Sequence, residues 1–361
     1  MNRHHTETLV IGGSQAGLAV GYHLRQRGLS FVIVDENEHV GDAWRKRWDN
    51  LRLFTPARYN GLPGMPFPGP SSAYPTKDET ADYLTAYARQ FELPVRTGVR
   101  VDRLLAAAGR FEAVCGHEVL SAANVVVATG AYHVPRIPAF AASLNDTIYQ
   151  IHSSEYRNRL QLREGPVLVV GAGNSGAEIA MELAAHNRVW LSGPDTGHEP
   201  TRAGSLPDRL FTPLIWLMAT RLTVTTRLGR ELRDHFLDPP RGIPLARVRH
   251  KDIIGAGIER VGKTAGARDG YPILEGGRVL EVSNVIWCTG YTPDFSWIDP
   301  ALPTRHGLPN HDRGIVESIP GLYFMGLLFQ YSLSSVLLGG VGRDAQHVVD
   351  HIASRTARPR Q

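Results

Sequence analysis

The feature that most constrains this chain is a glycine-rich turn between two apolar segments near its beginning. Residues 9–11 (Leu-Val-Ile) predict a buried strand, residues 12–17 (Gly-Gly-Ser-Gln-Ala-Gly) a turn into a helix, and Phe31–Val34 a second strand that ends at Asp35. Glycines let the chain turn sharply and let the free N–H groups of the helix face a pyrophosphate. An acid about 20 residues further on can accept hydrogen bonds from a ribose. The pattern therefore predicts a βαβ unit that holds a dinucleotide.

This first motif departs from the G-x-G-x-x-G pattern at its middle position, where Ser14 stands in place of glycine. A Cβ and a hydroxyl therefore lie where the backbone should come closest to the phosphates. Serine is nevertheless small and can donate a hydrogen bond. On this motif alone, an ordinary βαβ unit without a nucleotide remains an alternative.

The same device recurs later in the chain with all three glycines. Residues 167–170 (Val-Leu-Val-Val) predict a strand, residues 171–176 (Gly-Ala-Gly-Asn-Ser-Gly) the turn, and Ile179 and Leu183 the apolar face of the following helix. One such motif is weak evidence for a nucleotide. Two motifs, each between an apolar strand and a helix with apolar periodicity, predict two dinucleotide sites.

The two motifs differ at the position that reads the ribose. The second strand of the later unit ends at Ser192, where the earlier unit has Asp35. A carboxylate there favours a free 2′-hydroxyl and repels a 2′-phosphate, so its absence favours NADP over NAD. Arg202 is the candidate for a contact with the 2′-phosphate, and a surface arginine is the alternative. Asp195 is close in the sequence and weighs against a phosphate.

Two apolar strands end in the dipeptide Thr-Gly, at residues 129–130 and 289–290. The second ending suggests that the later nucleotide unit closes there and that the chain returns to the first unit. With 361 residues the chain is long enough for two domains. We therefore predict an α/β fold of two Rossmann-like domains, the second inserted into a discontinuous first, with boundaries at residues 1–160, 161–284 and 285–361.

Three other segments bear on ligands or interfaces. Residues 36–56 contain Trp44, Trp48 and several arginines without helical periodicity, which is typical either of a loop around a large flat anionic ligand or of a surface loop anchored by tryptophan. Thr76 and Glu79 predict a capping box that opens a helix. The segment 206–240 predicts one or two helices that line either a substrate cavity or an interface.

Composition and charge exclude several classes of protein. Cys115 and Cys288 are remote and form no C-x-x-C pair, which removes disulfide-reductase chemistry. The net charge is +4 and the arginines are spread among acids, so nucleic acid is not an expected partner. No apolar run reaches the roughly 18 residues of a membrane span, and no signal-peptide core precedes the first strand. We therefore expect a cytoplasmic protein; the most membrane-like run, Pro213–Ala219, is far too short to span.

With both motifs and both Thr-Gly endings in hand, the chain resembles the class B flavoprotein monooxygenases, which include the flavin-containing monooxygenases, the plant YUCCA enzymes and short bacterial relatives. The resemblance covers nearly the whole length and includes Val40-Gly41-x-x-Trp44, Tyr74-Pro75 and Leu322–Gly326. It implies FAD on the first motif and NADPH on the second. It also implies that NADPH gives a hydride to the flavin, and that the reduced flavin and O2 form a C4a-peroxide that oxygenates a small molecule.

The resemblance implies cofactor contacts but assigns no side chain as acid, base or nucleophile. The implied FAD contacts are Gly12, Ser14, Gln15, Ala16, Gly17, Asp35, Glu36, Gly41, Trp44, Arg52, Val101, Ala128, Thr129, Gly130 and Gly326. The implied NADPH contacts are Gly171, Gly173, Asn174, Ser175, Gly176, Ser192 and Arg202. No metal-ligand cluster is evident in the sequence. The expected partners are a small-molecule substrate and O2, and a homodimer is a compatible assembly.

The chain also departs from the family pattern. The fingerprint F-x-G-x-x-x-H-x-x-x-Y survives only as His152 and Tyr156, with Asp146 and Ile148 in place of Phe and Gly. Tyr156 rather than tryptophan argues against the Baeyer–Villiger branch. An NAD(P)H-dependent flavin reductase or oxidase shares both motifs, and the incomplete fingerprint favours this alternative. A nucleotide-sensing protein without turnover is a further alternative, supported only by Ser14.

Overall fold

The computed structural model describes residues 2–107, 109–199, 201, 203–237 and 243–356. Its strands are β1 (Asn2–Ile11), β2 (Phe31–Val34), β3 (Val95–Arg96), β4 (Arg103–Ala107), β5 (Arg110–Cys115), β6 (Glu118–Val127), β7 (Val134–Pro135), β8 (Tyr149–His152), β9 (Val167–Val170), β10 (Val189–Ser192), β11 (Glu259–Val261), β12 (Thr264–Arg268), β13 (Tyr271–Leu274), β14 (Asn284–Trp287), β15 (Tyr291–Thr292), β16 (Ile298–Asp299), β17 (Thr304–Arg305), β18 (Leu308–Pro309) and β19 (Leu322–Phe324). Its helices are α1 (Gln15–Gln26), α2 (Asp42–Arg45), α3 (Lys77–Gln90), α4 (Asn174–Leu183), α5 (Leu206–Arg221), α6 (Arg227–Leu237), α7 (His250–Gly255) and α8 (Val341–Thr356).

The first sheet is built around β1 and β6. Its strand order is β16-β4-β5-β6-β1-β2-β3, and β19 runs parallel to the end of β6. On one face, Leu18 of α1 and Ile352 of α8 pack with Val10 in a fully buried apolar cluster. Leu9 and Ile11 point to a second cluster on the other face, because successive strand residues alternate. The sheet is therefore covered by apolar residues on both sides, as a parallel βαβ unit requires.

Two features of this sheet depend on how the strands pair. The short strand Val95–Arg96 pairs parallel to β2, because helix α3 returns the chain to the same edge. The ten-residue strand Glu118–Val127 ends just before Thr129. This strand pairs with β5 in its first half and with β19 in its last three residues.

The second sheet has the parallel order β11-β10-β9-β14-β8. All four residues of β9, β10 and β14 are buried, and an apolar cluster lies on each face. This all-parallel, doubly covered sheet with α4 after β9 confirms the predicted second Rossmann-like unit. Because Tyr149–His152 and Asn284–Trp287 belong to this sheet, we propose to move the domain boundaries to just before residue 149 and just after residue 287.

The chain passes between the two sheets twice, and the two passages are paired with each other. The outward passage contains β7 and the return passage contains β15. These strands form a short antiparallel ladder in which Val134 faces Thr292 and Pro135 faces Tyr291. The second unit is therefore attached to the first by two hydrogen-bonded strands.

The predicted helices outside the nucleotide motifs are present. Thr76 caps α3 by accepting from the backbone N–H of Glu79 at 3.1 Å, and the Glu79 carboxylate accepts from the N–H of Thr76 at 2.7 Å. The segment predicted as one or two helices forms α5 and α6 within its described part. No helix in the described ranges combines the length and the apolar character needed to cross a bilayer.

Candidate functional site

The two glycine turns have the same construction. Gly12 and Gly171 adopt left-handed φ angles of +109° and +111°. A Cβ on Gly17 would overlap the carbonyl oxygen of Gly12, and a Cβ on Gly176 would overlap that of Gly171. Both distances would be far shorter than 3.0 Å, the closest approach that real Cβ atoms show. Each helix can therefore start directly against its turn only because glycine occupies both positions.

Each turn is also seated against the end of a neighbouring strand. A Cβ on Gly12 would lie 2.7 Å from the carbonyl oxygen of Ala128, and the Ala128 N–H donates to Ile11 at 2.8 Å. In the second unit the Cys288 N–H donates to Val170 at 2.7 Å. Each Thr-Gly ending, the first at Thr129 and Gly130, therefore lies next to its own glycine turn.

The starts of α1 and α4 leave N–H groups free to bind an anion. Gly173 is the N-cap of α4, and among the described residues no atom beyond its own chain neighbours lies within 4 Å of the position that its Cβ would take, so there is room for a pyrophosphate. The equivalent Ser14 occupies the N-cap position of α1, but its side chain makes no capping hydrogen bond to the helix. Its hydroxyl donates instead to the side-chain oxygen of Gln15 at 2.6 Å.

Asn174 and Ser175 follow the N-cap of α4, and their surroundings differ. Asn174 accepts from the N–H of Ala246 at 2.9 Å and donates to the carbonyl of Pro244 at 3.2 Å. Its side chain therefore fastens the loop that precedes α7. Ser175 follows it, half-buried, in the first turn of α4.

Asp35 locks the first turn to the end of β2. One carboxylate oxygen accepts from the N–H of Gly13 at 2.6 Å, and the other accepts from the backbone and side-chain nitrogens of Asn37, both at 2.8 Å. The Val99 N–H donates to the backbone oxygen of Asp35 at 2.9 Å, which brings the chain before Val101 to the same place. A half-buried carboxylate at this point has the position expected for a ribose contact, and the adjacent Glu36 is exposed.

The loop after β2 returns to the first turn through Trp44. Gly41 has φ +94°, and a Cβ there would lie 2.6 Å from the carbonyl oxygen of Ala81 in α3, so glycine permits close packing of the loop. The Trp44 indole N–H then donates to the same Gln15 oxygen that Ser14 contacts, at 3.3 Å. The structure thus brings Ser14, Gln15, Gly41 and Trp44 together.

Gly326 approaches the first turn from another direction. It follows β19 with φ +77°, and its Cβ position lies 3.4 Å from the Cβ of Ala16. Arg52, by contrast, is exposed and donates to the carbonyl of Tyr74 at 2.9 Å. Thr129 is exposed, and its hydroxyl lies 3.2 Å from the ring of His133.

The hydroxyl of Ser192, a predicted NADPH contact, has partners within the protein. This residue is fully buried, and its hydroxyl contacts the Gly262 carbonyl at 2.9 Å and the Thr264 hydroxyl at 2.7 Å. The hydroxyl therefore ties β10 to the β11–β12 connection, and we no longer propose that it contacts a 2′-phosphate. The other predicted phosphate contact, Arg202, lies outside the described residues.

A charged cluster beyond the end of β10 was missed. The Asp195 carboxylate lies 2.8 Å from the His250 ring and 3.5 Å from the Arg260 guanidinium. The N–H of Gly197 and these two groups together hold the pKa of Asp195 below its usual value, although burial acts to raise it. Arg260 is on β11 and His250 starts α7, so only the strand order brings them to the ribose end of β10. No local motif in the sequence could have shown this.

The surviving fingerprint residues are structural contacts. His152 is 2% exposed, and its Nε2 lies 3.1 Å from the carbonyl oxygen of Gly290. Burial lowers the pKa of His152. The Tyr156 hydroxyl donates to Glu182 on α4 at 2.9 Å. Both side chains hold the second Thr-Gly ending and α4 in place.

Comparison with known proteins agrees with this construction. The model of the pyridine nucleotide-disulphide oxidoreductase family matches residues 9–205. A CzcO-like oxidoreductase without an assigned activity, from Geobacillus kaustophilus, is 42% identical over 97% of this chain and 99% of its own length. The indole-3-pyruvate monooxygenase YUCCA4 of Oryza sativa is 36% identical over 96% of this chain and 87% of its own length.

A solved structure has the same fold over its whole length. The flavin-containing monooxygenase from Stenotrophomonas maltophilia superposes with a TM-score of 0.76 and 27% identity, covering 99% of this chain and all of that chain. The chain therefore belongs to the class B flavoprotein monooxygenases, within the pyridine nucleotide-disulphide oxidoreductase family. It is an oxidoreductase, and the predicted fold of two Rossmann-like domains is confirmed.

Proposed function

We propose that this chain is an FAD-dependent, NADPH-using monooxygenase that oxygenates a small molecule with O2. The observation that carries the proposal is the pair of matching glycine turns. Only in the first unit does the second strand end directly at an acid, Asp35, which we assign to the ribose. The YUCCA4 and Stenotrophomonas relatives are named as monooxygenases, which supports the same reaction type.

The first turn fits the diphosphate and ribose of FAD. Asp35 stands at the end of β2 with one carboxylate oxygen bonded to the Gly13 N–H of the turn, and Gly326 leaves the start of α1 uncovered by a side chain. We assign Trp44 and Gln15 to the wall of this site, because their hydrogen bond closes the loop over the turn. The N-terminal end of α8, after two glycines, carries a partial positive charge that suits a flavin carbonyl.

The second turn fits NADPH. The open space at Gly173 accepts the pyrophosphate, and Arg260 and His250 stand where an adenosine 2′-phosphate would end. Asp195 contacts both groups in the structure. A 2′-phosphate carries more negative charge than one carboxylate, so it competes well for the same partners. We therefore assign NADPH selectivity to Arg260 and His250 instead of Ser192.

The described residues of the two turns bind and orient the cofactors, and we assign none of them as an acid or a base. When bound, FAD accepts a hydride from NADPH and in its reduced form activates O2. The two turns fix the positions of the two nucleotides, and the loop held by Trp44 keeps water away from the first of them. The substrate's chemical class is set by parts of the chain other than these turns.

The experiment that tests the proposal measures how far NADPH oxidation is coupled to oxygenation of a substrate. The purified holoenzyme is supplied with NADPH and isotopically labelled O2, with and without a panel of small thioethers, amines and ketones. A monooxygenase releases less hydrogen peroxide per NADPH when a substrate is present, and labelled oxygen enters the product. An unchanged peroxide yield with every compound would instead support the oxidase or reductase, the alternative that the incomplete fingerprint favours.

A further inference from the structure

Helix α5 buries polar side chains and exposes apolar ones. Its buried positions include Asp208 and Thr212, which are polar. The exposed side carries a row of large apolar side chains, with exposed fractions of 75% for Leu206, 79% for Leu210, 47% for Phe211, 52% for Leu214, 49% for Leu217 and 50% for Met218. We call these six residues the α5 apolar face. Single exposed apolar residues are common on proteins, but a continuous face of this kind marks an interaction surface.

Hydrogen bonds fix this orientation. Asp208 accepts from the Tyr74 hydroxyl at 2.7 Å, from the Gly204 N–H at 2.8 Å and from the Thr212 hydroxyl at 2.9 Å. Turning the apolar face inward would break all three contacts and expose or orphan a buried carboxylate. The helix therefore presents its apolar side outward as part of the folded structure.

The second half of α5 is also anchored to the rest of the chain. The Trp216 ring stacks on Tyr59 with centroids 5.0 Å apart. One turn further on, the Arg343 guanidinium donates to the carbonyl of Thr220 at 2.8 Å. These contacts leave the α5 apolar face as the outer surface of the helix.

The charges around this face are positive. Arg209 and Arg221 are exposed near the two ends of α5, and Arg227 and Arg230 are exposed at the start of α6. The exposed carboxylate of Glu231 is paired with Arg227 at 2.9 Å. Within the described residues, no carboxylate forms an ion pair with Arg209 or Arg221. An apolar helix face with arginines at its margin is the pattern of helices that lie in the interface of an anionic bilayer.

We propose that the α5 apolar face docks peripherally on an anionic lipid surface, with its leucines among the acyl chains and the arginines at the headgroups. A second copy of the chain fits this surface less well. In a twofold contact between two such helices, Arg209 of one copy would approach Arg221 of the other, and the six residues of the face include no carboxylate to separate them. An anionic bilayer removes this repulsion and supplies the missing negative charge.

Vesicle flotation tests this proposal with the flavin-loaded protein. We expect binding to phosphatidylglycerol vesicles at low salt and little binding to phosphatidylcholine vesicles. Leu210→Glu combined with Leu214→Glu should weaken binding by at least about tenfold. Arg221→Gln should weaken it about fivefold on the anionic vesicles alone. Leu160→Glu is the matched control, since Leu160 is 81% exposed and lies outside this helix.

The same variants separate the outcomes. Flavin content and NADPH oxidation should be unchanged in the double glutamate variant, which establishes that it is folded. Absence of vesicle binding, or equal weakening by Leu160→Glu, would overturn the proposal. If sedimentation without lipid shows a dimer that the double variant splits into monomers, the face is a contact between copies and the lipid proposal is wrong.

Discussion

Two alanine substitutions in the second glycine turn should separate folding from nucleotide binding. Gly176 lies where the start of α4 meets the turn, and an added Cβ there would overlap the carbonyl oxygen of Gly171 and lie 3.3 Å from the Cβ of Cys288. The turn and α4 must then move apart. Gly173 has an ordinary extended conformation, with φ −77° and ψ −172°, and open space around its Cβ position.

The expected sizes follow from these environments. Overpacking of a tight contact costs about 1–3 kcal/mol, so Gly176→Ala should lower the free energy of unfolding by an amount in that range. Alanine in place of an N-cap glycine costs less than about 1 kcal/mol. The methyl group of Gly173→Ala would instead fill the space of the pyrophosphate. Loss of one hydrogen bond to a charged group is worth about 1.5–3 kcal/mol, so the KM for NADPH should rise at least about tenfold.

Urea unfolding followed by tryptophan fluorescence, together with steady-state NADPH oxidation, measures both effects. Flavin content should stay the same in Gly173→Ala, because FAD is assigned to the other turn. Equal destabilisation by the two variants would show that the open space at Gly173 is not there in solution. A KM for NADPH unchanged by Gly173→Ala would refute the assignment of this turn to the nicotinamide nucleotide.

Three further predictions concern charged groups. Asp35→Asn should lower the FAD content of purified protein, read from the ratio of flavin to protein absorbance, whereas a change of the exposed Glu38 to Gln should leave it unaltered; equal retention by both variants would contradict the ribose assignment. Arg260→Ala should raise the KM for NADPH about tenfold without changing that for NADH, and a parallel rise for both would remove its role in selectivity. Burial holds the pKa of Glu178 at about 7, despite Arg247 at 3.6 Å. The folded chain thus keeps a proton that the unfolded chain loses near the ordinary glutamate pKa of 4.5, so stability falls as pH rises from about 4.5 to 7. Glu178→Gln should lessen this fall in urea midpoints on the two sides of that window, and an identical profile would count against a buried protonated carboxyl.

The features that could be predicted from the sequence are those specified by residues close together in the chain. Both glycine turns, the helices that follow them and the capping box at Thr76 could be predicted, because each is specified by residues within a few positions. The same holds for Asp35, since a βαβ unit brings the end of its second strand back to its own turn.

What could not be predicted depends on which strands become neighbours. Ser192 has the right place in its βαβ unit, but its hydroxyl contacts that of Thr264, the first residue of β12, far along the chain. Arg260 reaches Asp195 only because β11 pairs with β10. In the same way, a segment such as α5 has an apolar sequence whether it faces a core or the surroundings. The orientation of the helix follows from tertiary contacts, among them those of Asp208 with Tyr74 and of Trp216 with Tyr59.

The ladder between β7 and β15 matters for anyone who exchanges parts of this enzyme. A graft that replaces only residues 149–287 keeps both strands of the ladder from the recipient and preserves the pairing of Val134 with Thr292. A graft that includes only one of these two strands would combine half a ladder from each parent. The ladder therefore defines the segment to exchange when nicotinamide preference is transferred between relatives. Its two cuts should leave both strands of the ladder in the recipient or place both in the graft.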